Sequence, residues 1–238
     1  MKKITFLFLS GLLLMGLNSC FDHLSVPGNG VRATEYRTVP FFNKVKSGGA
    51  FKVYITNGSQ SEVKISADEN LLQYIETYVS GETLHLDIEE LHSVKAVIPM
   101  EIYITTSDLD GIVQSGSGSV ITDYYEAGHF DIVLSGSGSI YTEFDANSAD
   151  ILLSGSGKIE ISGNANNAEM IISGSGNING ADLYLIHCKT LTSGSGNMWI
   201  NVEDQLEARI SGSGNVYYYG NPCVAKSISG SGSVINKD

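Results

Sequence analysis

From Asp108 to the C-terminus the chain alternates apolar and polar residues in short runs, each ended by the same four residues. Phe130, Ile132 and Leu134 alternate with Asp131 and Val133, and Leu206, Ala208 and Ile210 alternate with Glu207 and Arg209. A period of two places one side chain in two on an inner face and predicts β-strands. The punctuation is SGSG, beginning at Ser115, Ser135, Ser154, Ser173, Ser193, Ser211 and Ser229, with intervals of 20, 19, 19, 20, 18 and 18 residues. Two residues after each SGSG stands an apolar residue: Val120, Ile140, Ile159, Ile178, Met198, Val216 and Val234. A fixed apolar position beside a fixed turn marks a repeating structural unit, whereas a Gly/Ser linker has no such partner.

The unit is too short for a propeller blade and lacks a leucine-rich signature. One repeat per coil lets each strand pair with its equivalent ~4.8 Å above it. The expected fold is all-β: a right-handed parallel β-helix (β-solenoid) of seven SGSG-centred coils over residues 108–238, the hand following from the bias of parallel connections. Glycine suits the corner because it takes positive φ, and serine is expected to turn into the corner and bond along the stack. Pro222, the one proline within the repeats, falls in a connection where no ladder N–H is lost.

Residues 41–107 do not repeat. Ala50–Thr56 and Glu62–Ser66 are expected to flank a turn at Asn57–Gln60. Asp68 would cap one or two helical turns reaching Ile75. Tyr78–Val79 and Thr83–Ile88 predict a second hairpin, and Val97–Thr105 a further strand with Pro99 at an edge. The region is expected to be a β-rich N-terminal cap or a set of irregular first coils, protecting a strand edge.

The N-terminus changes the picture of where the protein resides. Lys2 and Lys3 precede an apolar run, Ile4 to Leu17, that ends in Leu17-Asn18-Ser19-Cys20. The run is short for a membrane span and has the form of a secretory signal. Its last residues resemble a bacterial lipobox, which implies a signal peptide over 1–19, diacylation of Cys20 and membrane attachment there. Residues 20–40, with Pro27-Gly28-Asn29-Gly30, are expected to be a lipidated linker. Beyond Lys2 and Lys3 the formal charge falls from −12 to −14. Such a charge argues against nucleic acid or anionic headgroups as partners.

The lipobox, the segment FNKVKSGGAFKVYITNG (Phe42–Gly58), the SGSG-plus-aliphatic coils and the string GSGNING at Gly174–Gly180 together resemble a known family. It is the putative auto-transporter adhesin, head GIN domain family of Bacteroidetes-type bacteria, over about residues 41–235. The resemblance implies a parallel β-helix on a cell-envelope lipoprotein, surface-exposed and on the outer membrane. For function it implies only an adhesin, with an extracellular glycan or a surface protein as the expected partner.

Candidate chemistry is sparse. Asp131, Asp150, Glu169 and Glu207 form one outward acidic column broken by Lys189, and such a column is able to hold Ca²⁺, although acids are ordinary on a solvated face. His23, His85, His92, His129 and His187 lack a metal-ligand spacing, and no GxSxG elbow or GGxGxD repeat occurs. No cofactor, metal or catalytic residue is therefore assigned. The expected function is a non-catalytic surface binding module, with a polysaccharide-processing enzyme on a β-helix scaffold as the alternative. Three residues after SGSG an outward column reads Ile121, Tyr141, Glu160, Asn179, Trp199, Tyr217 and Ile235. Trp199 and Tyr217 are expected on adjacent coils as a platform for a sugar ring, with Tyr141 in the same column. Cys188 and Cys223 lie two coils apart and one residue out of phase. They are therefore expected to be free thiols, Cys188 facing inward beside Phe130 and Leu206.

Overall fold

The computed structural model describes residues 24–59, 62–90 and 92–238; the signal-like segment, Cys20 and His23 lie outside the described residues. The first strands are β1 (Leu24–Pro27), β2 (Arg32–Thr38), β3 (Lys44–Gly48), β4 (Lys52–Asn57), β5 (Glu62–Asp68), β6 (Ile75–Ser80), β7 (Thr83–Ile88), β8 (His92–Lys95) and β9 (Glu101–Thr106). Then come β10 (Gly111–Gly116), β11 (Ser119–Gly136), β12 (Ser139–Gly155), β13 (Lys158–Gly174), β14 (Asn177–Gly194), β15 (Asn197–Gly212), β16 (Asn215–Tyr219), β17 (Cys223–Gly230) and β18 (Ser233–Asn236). From β10 onward every pairing is parallel, each coil lying on its predecessor. The protein is the all-β solenoid that its repeat predicts.

In-register stacking turns each repeat position into a column. Val120, Ile140, Ile159, Ile178, Met198 and Val216 are fully buried. Two further inward columns run Phe130–Ala149–Ala168–Cys188–Leu206 and Leu134–Leu153–Ile172–Thr192–Ile210. Phe130 stacks on Phe144 with ring centroids 4.6 Å apart. Burial of apolar area at ~25 cal/mol per Å² is the main stabilising force in such a core. Cys188 is buried in the expected column, Cys223 is exposed in the next, and both are free.

The corners explain the glycines. The first Gly of each SGSG has positive φ, from +107° at Gly116 to +132° at Gly212. Its carbonyl accepts from two N–H groups of the next coil, as Ser137 and Gly138 donate to Gly116 O at 3.1 and 2.9 Å. The second Gly faces inward, and a Cβ on Gly138 would stand 2.4 Å from Gly118 O. The serines do not turn into the corner as expected. From Ser135 onward both serines of every SGSG are exposed, because the inward place is taken by a backbone approach that only glycine permits. The ladder reaches into the cap, where Gly118 N donates to Gly49 O and β3 lies on β10.

Residues 41–107 are thus both an irregular first coil, β3–corner–β4, and a cap. The cap departs from expectation in three places. β4 and β5 do not pair with each other, since β9 lies between them, parallel to β4 and antiparallel to β5. Asp68 stands at the N-cap of the 3₁₀ helix Glu69–Tyr74 without a side-chain capping bond. Its carboxylate instead accepts from Gly30 N, Val97 N and Ile98 N at 2.7, 2.9 and 3.0 Å. Those bonds, with Pro99 alongside, delay the strand expected from Val97 until Glu101. The linker reading of residues 20–40 is corrected from residue 24 onward: β1 pairs with β8 and β2 with β5, so these residues are part of the folded cap. The hairpin of β6 and β7 forms as expected.

Candidate functional site

The outward column that contains Trp199 crosses the whole sheet. Cross-strand register carries it through Tyr36, Lys64, Tyr103, Tyr54, Ile121, Tyr141, Glu160, Asn179, Trp199, Tyr217 and Ile235. It has an aromatic section at each end and a polar one between. In the cap, Tyr54 and Tyr103 stack at 5.1 Å with an interplanar angle of 11°. Lys52 and Lys64 lie over their rings at 5.2 and 4.4 Å. Burial first, and then Glu101, raise the Tyr103 hydroxyl above its ordinary pKa, so it remains a neutral donor.

Trp199 and Tyr217 lie on adjacent coils with ring centroids 5.2 Å apart and planes 19° from parallel. Neither ring is fully buried. The stacking uses one face of each, and Lys237 Nζ lies 5.2 Å from the Tyr217 centroid. Between Tyr141 and Trp199 the column drops to Glu160 and Asn179. There the wall holds a basin of about 320 Å³, lined by Thr122, Tyr141, Glu143, Glu160, Ser162 and Asp182 among others. Tyr141 and Trp199 are three coils apart, about 14 Å. The structure therefore brings Trp199 and Tyr217 into contact and sets Tyr141 apart from them, in the lining of the basin, which Trp199 and Tyr217 do not enter. Beside this column, Asn177, Asn197 and Asn215 form an amide ladder in which each Oδ1 accepts from the backbone N and Nδ2 of the next. A column of Asn at one register position was a readable signal for it.

On the strand before the corner, the acidic column forms as Asp131–Asp150–Glu169–Lys189–Glu207. Lys189 pairs with Glu169 at 2.7 Å, Arg209 with Glu207 at 2.8 Å and Lys44 with Asp131, so three of its four acids carry a cation of their own. Burial raises the Asp131 pKa, but hydrogen bonds from Lys44 and His129 outweigh it and hold the carboxyl below its ordinary value. Sequence spacing missed His129, whose Nε2 lies 2.9 Å from Asp131 and 3.7 Å from Asp150, one coil away. These three residues offer ligand atoms within 4.8 Å of one another. His129 Nδ1 also meets Ser148 Oγ at 2.8 Å, forming a Ser–His–Asp chain. β12 is hydrogen-bonded on both sides at Ser148, so its backbone N–H groups are committed to the ladder rather than to an oxyanion.

The coil geometry and corner ladder match a family of known architecture. The model of the putative auto-transporter adhesin, head GIN domain family matches residues 41–222. The chain belongs to that family. A putative adhesin from Bacteroides fragilis is 25% identical, with a TM-score of 0.85, covering 89% of this chain and 100% of that one. A putative adhesin from Parabacteroides merdae is 24% identical, with a TM-score of 0.75 and coverages of 90% and 99%. A structure from Parabacteroides distasonis, described as a putative lipid binding protein, is 23% identical, with a TM-score of 0.76 and coverages of 90% and 100%. A comparison with curated proteins finds no significant match. The last two likenesses speak to the fold alone; the family is an adhesin-type one, consistent with a cell-surface module.

Proposed function

We propose that this adhesin-family protein is a non-catalytic, lipid-anchored module of the cell envelope that binds extracellular glycan in the basin between Tyr141 and Trp199. The carrying observation is the basin itself: hydroxyl, amide and carboxylate groups beside the half-exposed ring of Tyr141, with the half-exposed Trp199, stiffened by Tyr217, one coil beyond the lining Asn179. Sugars are recognised by that pairing of ring faces with planar polar groups. Diacylated Cys20 holds the chain on the outer membrane. Three residues separate it from β1, four steps along the chain and a reach of at most ~14 Å. Because β1 and β2 belong to the cap, the cap lies toward the membrane and the C-terminal coil points away. The column from Tyr36 to Ile235 is ten strand spacings, about 48 Å, so the last coils stand clear of the surface.

The test combines two substitutions in the full chain. Trp199→Ala should weaken glycan-array binding at least tenfold while leaving the melting temperature within a few degrees, since the ring is not part of the core. Cys20→Ser should abolish palmitate incorporation and release the protein from membranes. Unchanged glycan binding in Trp199→Ala removes the basin, and undiminished lipid labelling in Cys20→Ser removes the anchor.

A further inference from the structure

A second depression lies half a coil away from the SGSG corner, and its origin is in the unequal coil lengths. The repeats of 20 residues must fit against neighbours of 19 and 18. Register breaks fall at Ile121/Tyr124, Glu160/Ser162, Gly180/Tyr184 and Leu185/His187, all on this side of the coil. In β14, Ala181–Leu183 have no partners in β15, a three-residue bulge whose Leu183 is fully buried. The inward column beside it carries small residues, Ala127–Ala146–Ala165, before returning to Leu185 and Val202. Over this column of alanines lies an open groove of about 640 Å³.

The lining has a definite chemistry. Glu126, Asp145, Asn164, Tyr184 and Asn201 follow one another across five strands, with Glu203 on the far side. Asn164 Nδ2 donates to Asp145 Oδ1 at 2.9 Å, which orients both planar groups. At one end the Tyr124 hydroxyl donates to Glu126 at 3.2 Å. Burial, then Asp145 and Glu126, push Tyr124 up to about 12, so it stays a protonated donor. Tyr184 is 61% exposed. Its strand neighbours in the column are Asn164 and Asn201, so no aromatic neighbour covers its ring face, unlike those of Trp199 and Tyr217. None of the residues that line the groove is basic.

We infer that this groove is a second saccharide site, distinct from the Tyr141–Trp199 basin, and that it takes uncharged oligosaccharide chains. Amide and carboxylate groups on successive coils repeat every ~4.8 Å, comparable to one pyranose residue, and such planar groups donate to and accept from vicinal hydroxyls. The open face of Tyr184 supplies the stacking surface. Three carboxylates without a basic counterpart repel polyanionic chains, which gives the site its selectivity.

The experiment presents the full chain to arrays of neutral gluco- and manno-oligosaccharides, heparin and polygalacturonate, with a lysine-rich peptide as a competitor class. Neutral oligosaccharides should bind and the polyanions should not. Tyr184→Ala and Asn164→Ala should each cut a subset of neutral binding at least tenfold at an unchanged melting temperature, and Tyr184→Phe should restore it. That subset should survive in Trp199→Ala, which separates failure here from failure of the basin. Equal binding in Tyr184→Ala, preference for polyanions, absence of any neutral binding, or capture of the lysine-rich peptide alone each overturns the inference.

Discussion

The two ends of the solenoid meet the same problem, an open strand edge over an apolar core, and treat it differently. At the N-terminal end the direction of the chain reverses. β9 is parallel to β4, but β5 runs antiparallel to β9 and β2 antiparallel to β5; on the other wall β6 runs antiparallel to β7. Val45, Ile65, Leu71, Leu84, Leu86 and Ile102 are fully buried there. At the C-terminal end β17 and β18 continue the parallel stack with neighbours, among the described residues, on one side only. Ile228 is 40% exposed although its column-mates Leu134 and Ile210 are buried. What stands in for a cap is a charge. The inward column Ile112–Ile132–Ile151–Met170–Thr190–Ala208 continues to Lys226, an exposed residue, so a charge stands in the register of a core position on the last described strand edge. A lysine on an edge strand is a known device against edge-to-edge pairing. One end is closed by burial, the other by a penalty on whatever would stack there.

That contrast predicts unequal costs for the same substitution. Ile65→Ala in the cap should destabilise by about 2–5 kcal/mol, a large-to-small change at a fully packed site. Ile228→Ala, one element from the other end, should cost about 1 kcal/mol or less. Urea midpoints of both variants measure the difference, and equal shifts would show that the C-terminal coil is as well packed as the cap.

The cap also depends on one carboxylate. Burial works to raise the Asp68 pKa, but the N–H groups of Ile98, Gly30 and Val97 outweigh it and lower the value. A lowered folded-state pKa gives a contribution that is complete above the ordinary carboxylate range and lost as pH falls through the folded value. Asp68→Asn should therefore lower the melting temperature by several degrees at pH 7. The gap to wild type should close in acid, where Asp68 itself takes a proton. A gap that persists at pH 2 would mean that charge is not what binds the N-terminal strands to the cap.

The smallest effect on stability, and the sharpest on behaviour, should come from Lys226→Ile. It completes the apolar column, leaves the fold intact and removes the repulsion at the edge. Sedimentation velocity should show association that grows with concentration in the variant and not in the wild type. An unchanged sedimentation coefficient would show that something other than Lys226 keeps the end from stacking.

Much of this was legible beforehand wherever the repeat holds. The buried series from Val120 to Val216, the separation of Cys188 from Cys223 and the Trp199–Tyr217 contact all follow from counting residues from a corner. Arg32–Thr38 was not legible as a strand, because β2 alternates between exposed and half-buried positions and carries no apolar face. The groove left only a faint trace, the alanines at one register position together with the unequal repeat lengths. Asp68 showed itself as a helix cap because its true partners, Gly30 and Val97, are about 30 or more residues away on either side.

The sequence by itself determined the coil, its corner and its columns, since in a parallel in-register stack each residue's neighbours are its own equivalents one repeat away. The tertiary structure alone decided how the non-repeating strands close the first coil and which aromatic faces stay free. It also decided where surplus residues form a bulge beside the groove. Those outcomes rest on contacts between segments that share no period, and only the assembled chain brings them together.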